Sequence, residues 1–267
     1  MSHHVLVFDS GVGGLSVVAE IRKRQPDLFL SYVADDEFRP YGNKSEAALQ
    51  ARLPGLLKTL CLMLDPDAVV IACNTASTTA LQHIRDKLSI PVIGVVPAIK
   101  PAAETSRMGT IGVLGTPGTI RRRYVNDLIS DFASDCEVVL QGSTRLVEQA
   151  ERKLSGKSVD LNIIRDEIAP LFAGRIGVDV DAVVLACTHF PLLKDELKQA
   201  VRQTVSWIDS GEAIARRLEA VLSDLNATPK PEFPEVAFLI GPKTDAAREQ
   251  AFAQFGFEKT VALYSSQ

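Results

Sequence analysis

The sequence predicts an α/β fold of two pseudo-symmetric domains, each built on a parallel sheet. Short apolar runs alternate with segments of helical periodicity along the whole chain, a pattern typical of right-handed βαβ units whose sheets are covered on both faces. The length of 267 residues exceeds the usual size of one domain. The apolar run Val69–Ala72 ends in Cys73 and a later run, Val183–Ala186, ends in Cys187, so two equivalent halves each present one cysteine.

The first part of the chain alternates apolar strands with helices. The strands are continuous apolar runs, whereas Leu15, Val18 and Ile21 recur at the spacing of one helix face. Pro54 is expected to interrupt the second helix, because proline lacks the N–H group that a helix interior needs. The predicted strands are Val5–Phe8, Phe29–Val33, Ala68–Ala72 and Pro91–Val95, and the predicted helices are Leu15–Gln25, Ser45–Leu64, Thr78–Leu88 and Ile99–Ser106.

The same alternation restarts at Thr110. Arg121–Arg123, the only basic run, is interpreted as the solvated face of a helix. The first domain is predicted to comprise residues 1–97 and 208–267, and the second residues 98–207. The predicted strands are Thr110–Gly115, Glu137–Leu140, Ala182–Ala186, Val205–Ile208 and Val236–Ile240, and the predicted helices are Ile120–Phe132, Leu146–Leu154, Val159–Phe172, Glu212–Leu225 and Thr244–Phe255.

Composition and charge argue against several classes of protein. The net charge of −4 and the pI near 5.7 disfavour a nucleic-acid or anionic-lipid partner, which would need clustered lysines and arginines. No stretch approaches the ~18 to 20 apolar residues of a membrane span, and the start of the chain has no signal-peptide pattern. We therefore expect a cytoplasmic protein with no membrane partner.

The four cysteines, at positions 61, 73, 136 and 187, are predicted to be free thiols. They show no C-x-x-C spacing, so neither a disulfide framework nor a standard zinc site is indicated. Cys61 and Cys136 lie in contexts typical of small buried side chains. The loop after the first strand nearly fits G-x-G-x-x-G, but Ser16 occupies the third glycine position, so no dinucleotide site is expected.

Polar side chains follow several predicted strands at their carboxyl ends, where ligands bind in such folds. Asp9, Cys73, Thr116 and Cys187 therefore indicate an active site, which we expect in the cleft between the two domains. A thiol needs a helix N-terminus or a nearby cation to ionise at neutral pH, and both cysteines precede predicted helices. His189 can take or return the proton of Cys187.

The duplication of the cysteine restricts the reaction. A hydrolase needs one nucleophile and gains nothing from a second equivalent thiol. A reaction that removes a proton from one face of a carbon atom and returns it to the other face needs two matched acid/base groups. The two halves of the chain supply such a pair.

Four segments of the chain carry a resemblance to a known family: Phe8–Val17, Arg39–Gly42, Ala72–Ser77 and Ala186–Leu193. Together they resemble the glutamate racemases, cofactor-independent members of the aspartate/glutamate racemase superfamily. The resemblance covers nearly the whole chain and implies racemisation of glutamate for peptidoglycan synthesis and cell wall biogenesis. It also implies that no pyridoxal phosphate, metal ion or nucleotide cofactor is needed.

The resemblance implies roles for individual residues. Cys73 would act as the base on D-glutamate and Cys187 as the base on L-glutamate, with Asp9 and His189 assisting the thiols. Glu148 resembles a glutamate that the family places near the second cysteine. The implied substrate-binding residues are Asp9, Ser10, Tyr41, Gly42, Asn74, Thr75, Thr116, Thr119, Thr188 and His189.

Other functions remain open at this point. The nearest is racemisation of a related acidic amino acid such as aspartate. A thiol hydrolase using only Cys187 and His189, and a non-catalytic amino-acid-binding protein, are alternatives from other classes. The partners to test are glutamate as substrate, a second copy of the chain in a homodimer, and a peptidoglycan precursor as an allosteric activator.

Overall fold

The computed structural model describes residues 3–226, 233–241 and 245–263. The strands are β1 (His4–Asp9), β2 (Phe29–Ala34), β3 (Ala68–Ile71), β4 (Val92–Gly94), β5 (Thr110–Gly115), β6 (Glu137–Gly142), β7 (Ala182–Ala186), β8 (Ser206–Ile208), β9 (Val236–Ile240) and β10 (Lys259–Leu263). The helices are α1 (Leu15–Arg24), α2 (Glu46–Leu64), α3 (Asn74–Arg85), α4 (Ile99–Thr105), α5 (Pro117–Ile120), α6 (Arg123–Phe132), α7 (Arg145–Leu154), α8 (Leu161–Ile168), α9 (Gly174–Gly177), α10 (Lys194–Ala200), α11 (Gly211–Leu222) and α12 (Ala246–Gln254). Within the described residues, 3-10 turns lie at Tyr41–Asn43, Ala169–Phe172 and Phe190–Leu193.

The chain divides into two compact units. Unit 1 comprises Met1–Val95 and Gly211–Gln267, and unit 2 comprises Val96–Ser210. Each unit is an α/β structure built on one sheet, and all the neighbouring strands in both sheets run parallel. The predicted fold class of two parallel-sheet α/β domains is therefore confirmed.

The two sheets share the same strand order around their first strand. Unit 1 has the order β10-β9-β2-β1-β3-β4, and unit 2 has the order β6-β5-β7-β8. In each sheet the first strand lies between the second and the third, so the connections reverse direction there, and ligands bind at such switch points. Asp9 is the last residue of β1 and Cys73 follows β3, whereas Thr116 and Cys187 follow β5 and β7. All four residues thus lie at the switch point of their own sheet.

Burial explains why the central strands could be recognised from the sequence. Every residue of β1, β2, β3 and β7 is buried, because helices cover both faces of each sheet. In unit 2 the residues of β7 alternate between two apolar clusters, with Val183 and Leu185 in one and Val184 and Ala186 in the other. Alternate side chains of a strand point to opposite faces, so each face of the sheet has its own core.

Helix α2 differs from its prediction in two ways. Pro54 lies inside the helix without ending it, because the face formed by Leu49, Leu53 and Leu57 is buried in the core of unit 1 and offsets the missing hydrogen bond. By length and composition α2 is also long and apolar enough to cross a membrane, contrary to the expectation that no stretch would be. One face of α2, which includes Leu49, Leu53 and Leu57, is buried in the core of unit 1.

The basic run Arg121–Arg123 does not form one helix face. Helix α5 ends at Ile120, and Arg122 precedes α6 in an extended conformation with φ −76° and ψ 141°. Arg122 is buried, whereas Arg121 and Arg123 are exposed. The prediction of a single helix Ile120–Phe132 with a solvated basic face is therefore wrong, because Arg122 is extended and buried.

Other elements also differ from the predictions. Helix α3 begins at Asn74 rather than at Thr78, which makes Cys73 its N-cap residue. The sequence also missed β10, because this edge strand is only partly buried and lacks a long apolar run. The predicted start of the last helix, Thr244, lies outside the described residues, and α12 begins at Ala246.

The buried His4 at the start of β1 makes stability depend on pH. Its Nε2 atom lies 2.9 Å from Oγ of Ser31, and burial lowers the pKa of His4 below its ordinary value of 6.5, although the Asp67 and Asp65 carboxylates oppose this. The unfolded chain then binds the proton more tightly, so this contribution to stability is complete above pH ~6.5 and is lost as the pH falls through the folded-state pKa. Urea denaturation from about pH 7.5 to 5 should give a steeper loss for the wild type than for His4→Phe. The exposed-site control His83→Gln should keep the wild-type slope, and equal slopes for all three proteins would contradict the assignment.

Candidate active site

The carboxylate of Asp9 lies at the end of β1, and the loop Ser10–Gly14 folds around it. Asp9 is fully buried. Its Oδ1 atom accepts hydrogen bonds from the backbone N–H of Ser10 at 2.6 Å and from Oγ of Ser10 at 3.3 Å. Its Oδ2 atom accepts a hydrogen bond from the backbone N–H of Gly14. Tyr32 donates from Oη to the carbonyl of Gly11 at 2.7 Å, so both the carboxylate and its loop are held in one orientation.

Gly14 occupies a space that a larger residue would overfill. A Cβ atom there would lie 2.8 Å from Oη of Tyr32, 2.9 Å from Cβ of Ala72 and 3.0 Å from Cβ of Asp9. A Cβ atom at Gly11 of the same loop would meet no atom within 4 Å. We expect Gly14→Ala to lower the free energy of unfolding by about 1–3 kcal/mol, the usual range for overpacking. Gly11→Ala should lower it far less, and equal losses in urea denaturation would contradict this account.

Cys73 caps α3, close to the Asp9 loop. It is buried, and its Sγ atom lies 3.6 Å from Oγ of Ser10. The N-terminus of a helix of 12 residues stabilises negative charge, which favours a thiolate at this position. Asn74 and Thr75 open the helix and are also buried. The Oδ1 atom of Asn74 has no hydrogen-bond partner among the described residues, so it can accept a hydrogen bond from a ligand.

Tyr41 and Gly42 belong to the 3-10 turn that follows the cis peptide bond between Arg39 and Pro40. Tyr41 is buried in the same apolar cluster as Cys73, and the turn packs against α3. Burial, together with the neighbouring Asp35 carboxylate, raises the pKa of Tyr41 well above its ordinary value. The phenol therefore stays protonated. Unit 1 thus carries seven of the predicted site residues at the carboxyl edge of its sheet: Asp9, Ser10, Tyr41, Gly42, Cys73, Asn74 and Thr75.

Unit 2 presents its thiol in a similar way. Cys187, Thr188 and His189 follow β7, and all three are buried. Sγ of Cys187 lies 3.9 Å from Nδ1 of His189. On the other side of the ring, Nε2 of His189 lies 3.6 Å from Oε1 of Glu151. A thiol, an imidazole and a carboxylate are therefore linked by two polar contacts.

The carboxylate beside His189 belongs to Glu151, whereas Glu148, which resembles a family glutamate near the second cysteine, lies three residues earlier. Both residues lie on α7, but Glu148 is exposed, whereas the Glu151 side chain is only 33% exposed. The helical spacing contained a signal for this arrangement. Val147, Glu151 and Leu154 are spaced four and three residues apart and so share one face of the helix. Val147 and Leu154 are both apolar and at least partly buried, which indicates that this face is turned inward.

Thr116 and Thr119 form a hydroxyl pair at the end of β5. Their Oγ1 atoms lie 2.9 Å apart, and Oγ1 of Thr116 accepts a hydrogen bond from the backbone N–H of Thr119 at 3.2 Å. Because β5 pairs with β7 and Gly115 is opposite Ala186, these hydroxyls lie at the same sheet edge as Cys187. The predicted hydroxyl loop is therefore next to the strand that carries the second thiol.

Comparison with known proteins identifies the family. The chain matches the Asp/Glu/hydantoin racemase family over residues 15–218. It belongs to that family. The curated glutamate racemase of Pasteurella multocida is 44% identical over 260 residues, which cover 97% of this chain and 96% of the relative. That of Vibrio parahaemolyticus is 51% identical over 219 residues, which cover 82% of this chain and 79% of the relative.

A solved structure supports the same relationship. The crystal structure of Escherichia coli glutamate racemase in complex with L-glutamate and the activator UDP-MurNAc-Ala superimposes with a TM-score of 0.91 at 40% identity, covering 100% of both chains. The resemblance to glutamate racemases is therefore confirmed, and with it the prediction that this racemase family member is an enzyme. Racemases are isomerases, so the reaction class is fixed by family membership.

The two remaining cysteines have surroundings unlike those of Cys73 and Cys187. Cys61 lies on α2, where burial raises its pKa to about 11, so at neutral pH it stays a thiol and is a poor base. Cys136 precedes β6 and packs against an apolar cluster of unit 2. Over residues 3–226, 233–241 and 245–263, no group of three or more His, Cys, Asp or Glu side chains could hold a metal ion.

Proposed function

We propose that this chain interconverts L-glutamate and D-glutamate without a cofactor, using Cys73 and Cys187 as its two bases. The observation that supports this most is the matched placement of the two thiols, each after the third strand of a parallel sheet and beside an acid/base group. In unit 1, Ser10 contacts both the Asp9 carboxylate and the Cys73 thiol. In unit 2, His189 contacts both Glu151 and Cys187.

In the L-to-D direction, the Cys187 thiolate takes the α-proton of L-glutamate. The electron pair of the broken C–H bond is delocalised into the α-carboxylate, where hydrogen bonds stabilise the developing charge. The Cys73 thiol then gives its proton to the opposite face of the carbon. The products are D-glutamate, a Cys187 thiol and a Cys73 thiolate, and the reverse reaction exchanges these roles. The assignment of each thiol to one enantiomer follows the family resemblance.

After each turnover the two thiols must regain their starting protonation states. The neighbouring groups can move these protons: Asp9 through Ser10 on the Cys73 side, and His189 with Glu151 on the Cys187 side. Substrate binding needs acceptors for the ammonium group and donors for two carboxylates. Oδ1 of Asn74, which has no hydrogen-bond partner in the part of the chain that the structure describes, is a suitable ammonium acceptor, and backbone N–H groups at the start of α3 are suitable carboxylate donors.

We further propose that the D-glutamate is used in peptidoglycan synthesis in the cytoplasm and that a peptidoglycan precursor activates the enzyme. The E. coli relative, 40% identical over its full length, binds the activator UDP-MurNAc-Ala. Unit 1 contains a cavity of about 450 Å³ whose lining residues include Arg85, Arg217, Ile93 and Ile214. Two guanidinium groups beside an apolar wall suit a nucleotide-linked phosphate, so we place the activator there. Activation by UDP-MurNAc-Ala that disappears in Arg217→Ala would support this placement, and undiminished activation would contradict it.

A second candidate function has one observation in its favour. The contacts among Cys187, His189 and Glu151 resemble the arrangement of a thiol hydrolase, in which a carboxylate orients the base that activates the nucleophile. Such an enzyme would have no use for Cys73. It would also leave the α-hydrogen of an amino acid untouched.

Proton exchange separates these functions. The purified protein is incubated in deuterated buffer with D- or L-glutamate and, in parallel, with D- or L-aspartate, and the α-hydrogen is followed by NMR. We expect exchange and inversion of both glutamate enantiomers, and far slower reaction with aspartate. Reaction with aspartate but not with glutamate would show that glutamate is not the substrate. No exchange with any of the four amino acids would overturn the racemase proposal.

A further inference from the structure

A buried carboxylate that the proposed chemistry does not use lies beside the turn that contains Tyr41 and Gly42. Asp35 follows β2 and is fully buried. Its Oδ2 atom accepts hydrogen bonds from Oη of Tyr41 at 2.6 Å and from Nε of Arg52 at 2.7 Å. Its Oδ1 atom accepts a hydrogen bond from Nη2 of Arg52 at 2.7 Å. Arg52 thus donates to both carboxylate oxygens of Asp35, and the Tyr41 hydroxyl donates to Oδ2, which already accepts from Arg52.

Arg52, on α2, is itself held by the loop that it organises. Its guanidinium carbon lies 4.8 Å from the ring centroid of Phe38, and its Nη2 atom lies 3.6 Å from Oε2 of Glu37. Phe38 packs edge-on against Tyr41, with 6.2 Å between ring centroids. Nζ of Lys44 lies 4.5 Å from the centroid of the Phe38 ring. The loop from Asp35 to Lys44 is therefore attached to Arg52 of α2 by two ion pairs, with Asp35 and Glu37, and by the ring of Phe38.

Asp35 also connects this loop to the residues assigned to catalysis. Its backbone N–H donates to the carbonyl of Asp9 at 2.9 Å, and Tyr41 shares an apolar cluster with Cys73. The first N–H groups of a 3-10 turn have no partner within the turn, which here applies to Tyr41 and Gly42. A small displacement of the Tyr41 ring would therefore move two donors in a turn that packs against α3, the helix that begins after Cys73.

We propose that Asp35 and Arg52 are a positioning pair for substrate binding, holding Tyr41 so that the turn N–H groups are aligned with a glutamate carboxylate. The inference rests on the proposed function and adds to it two residues that do not touch the substrate. An ion pair that served stability alone could be replaced by apolar side chains with little loss. A bidentate Arg–carboxylate contact also fixes geometry, which apolar packing or a lysine cannot reproduce.

Steady-state kinetics test the pair. In Asp35→Asn, Arg52→Lys and Tyr41→Phe we expect KM for both glutamate enantiomers to rise by about tenfold to a hundredfold, with kcat changed less than about threefold. Arg52→Lys keeps the charge but loses the bidentate contact, so it should resemble Asp35→Asn. The double variant Asp35→Asn/Tyr41→Phe should be no worse than the poorer single variant, because both remove one interaction. The matched control is Arg24→Gln, which breaks an exposed 2.6 Å contact with Glu219 in the same unit and should leave KM unchanged.

Tyr41→Phe leaves the Asp35–Arg52 pair intact, so it provides a folded variant even where Asp35→Asn does not fold. A wild-type KM in Tyr41→Phe or in Arg52→Lys would overturn the proposal. So would additive losses in the double variant, or a fall in kcat at constant KM.

A spectroscopic measurement separates this inference from the proposed function. The chain contains four tyrosines, so fluorotyrosine labelling gives few ¹⁹F resonances, and the resonance missing in Tyr41→Phe identifies Tyr41. We expect Asp35→Asn and Arg52→Lys to shift this resonance and to leave that of Tyr124 in place. If the wild type fails to racemise glutamate but the shift occurs, the proposed function is wrong and the hydrogen-bonded pair stands. An unmoved Tyr41 resonance would overturn the pair itself.

Discussion

In deuterated water, the Cys187→Ser protein should exchange the α-hydrogen of D-glutamate faster than that of L-glutamate, and Cys73→Ser should show the reverse. Each substitution removes one thiolate base and leaves the other in place. Serine is a far weaker base than a thiolate, although its hydroxyl can still relay or donate a proton. The surviving cysteine can therefore deprotonate the enantiomer that it faces and return a deuteron to the same side of the carbon.

Exchange is a more informative measurement here than racemisation. The two enantiomers have equal free energy, so kcat/KM for net racemisation must fall by the same factor in both directions, whichever thiol is removed. The rates of exchange without inversion can differ between the two enantiomers, so they show whether each thiol deprotonates only one of them. We expect net racemisation to fall by about 10²- to 10⁴-fold in either serine variant, the usual contribution of a positioned acid or base.

The other cysteines provide matched controls for the same experiment. Cys61→Ala and Cys136→Ala remove thiols that pack in apolar surroundings and should leave both exchange rates close to those of the wild type. If both serine variants lost exchange equally for both enantiomers while still binding glutamate, the thiols would have to act as one coupled unit. An essential Cys61 or Cys136 in a folded protein would show that the site is wrongly assigned.

The parts of the fold that could be predicted are those determined by local pattern. Strands buried on both faces are continuous apolar runs, so β1, β3 and β7 could be recognised with nearly correct bounds, and so could the cysteines that follow two of them. β10 could not, because an edge strand packs on neighbours that are distant in sequence and needs fewer apolar residues. The prediction that Pro54 interrupts α2 failed for a related reason, since the burial of a leucine face outweighs the local preference of one proline.

The site shows the same division between local and distant information. Asp9 and the two cysteines could be predicted because each lies at or just after the end of a strand, and the carboxyl ends of parallel strands lie at the same edge of their own sheet. Asp35 gave no signal of its own, because its partner Arg52 lies on the next helix and a buried ion pair leaves no sequence pattern. Glu151 was missed because Glu148 lies in the same helical turn, and only the helical face distinguishes the two.

Glu151→Gln should slow α-hydrogen exchange of L-glutamate by about tenfold to a hundredfold, a part of the 10²–10⁴ that a positioned acid or base usually contributes. Glu151 contacts Nε2 of His189, and the opposite nitrogen, Nδ1, faces Sγ of Cys187. A carboxylate at Nε2 favours the tautomer with its proton there, which leaves Nδ1 free to accept the thiol proton. It also stabilises the imidazolium that forms when the thiol ionises. Glutamine keeps the size of the side chain but lacks the charge. His189 should therefore be a weaker base for the Cys187 thiol, and Cys73 should be unaffected.

The comparison with Glu148→Gln makes this result specific. Glu148 lies on the same helix, carries the same charge and is exposed, so its replacement controls for the lost charge without affecting His189. Exchange of D-glutamate, which depends on Cys73 and Asp9, should change little in either variant, whereas His189→Asn should match Glu151→Gln for L-glutamate. The double variant His189→Asn/Glu151→Gln should be no slower than His189→Asn, because Glu151 acts through the imidazole. A larger effect from Glu148→Gln than from Glu151→Gln would support Glu148, the glutamate that the family resemblance indicates. It would also mean that the His189–Glu151 contact has no part in proton transfer.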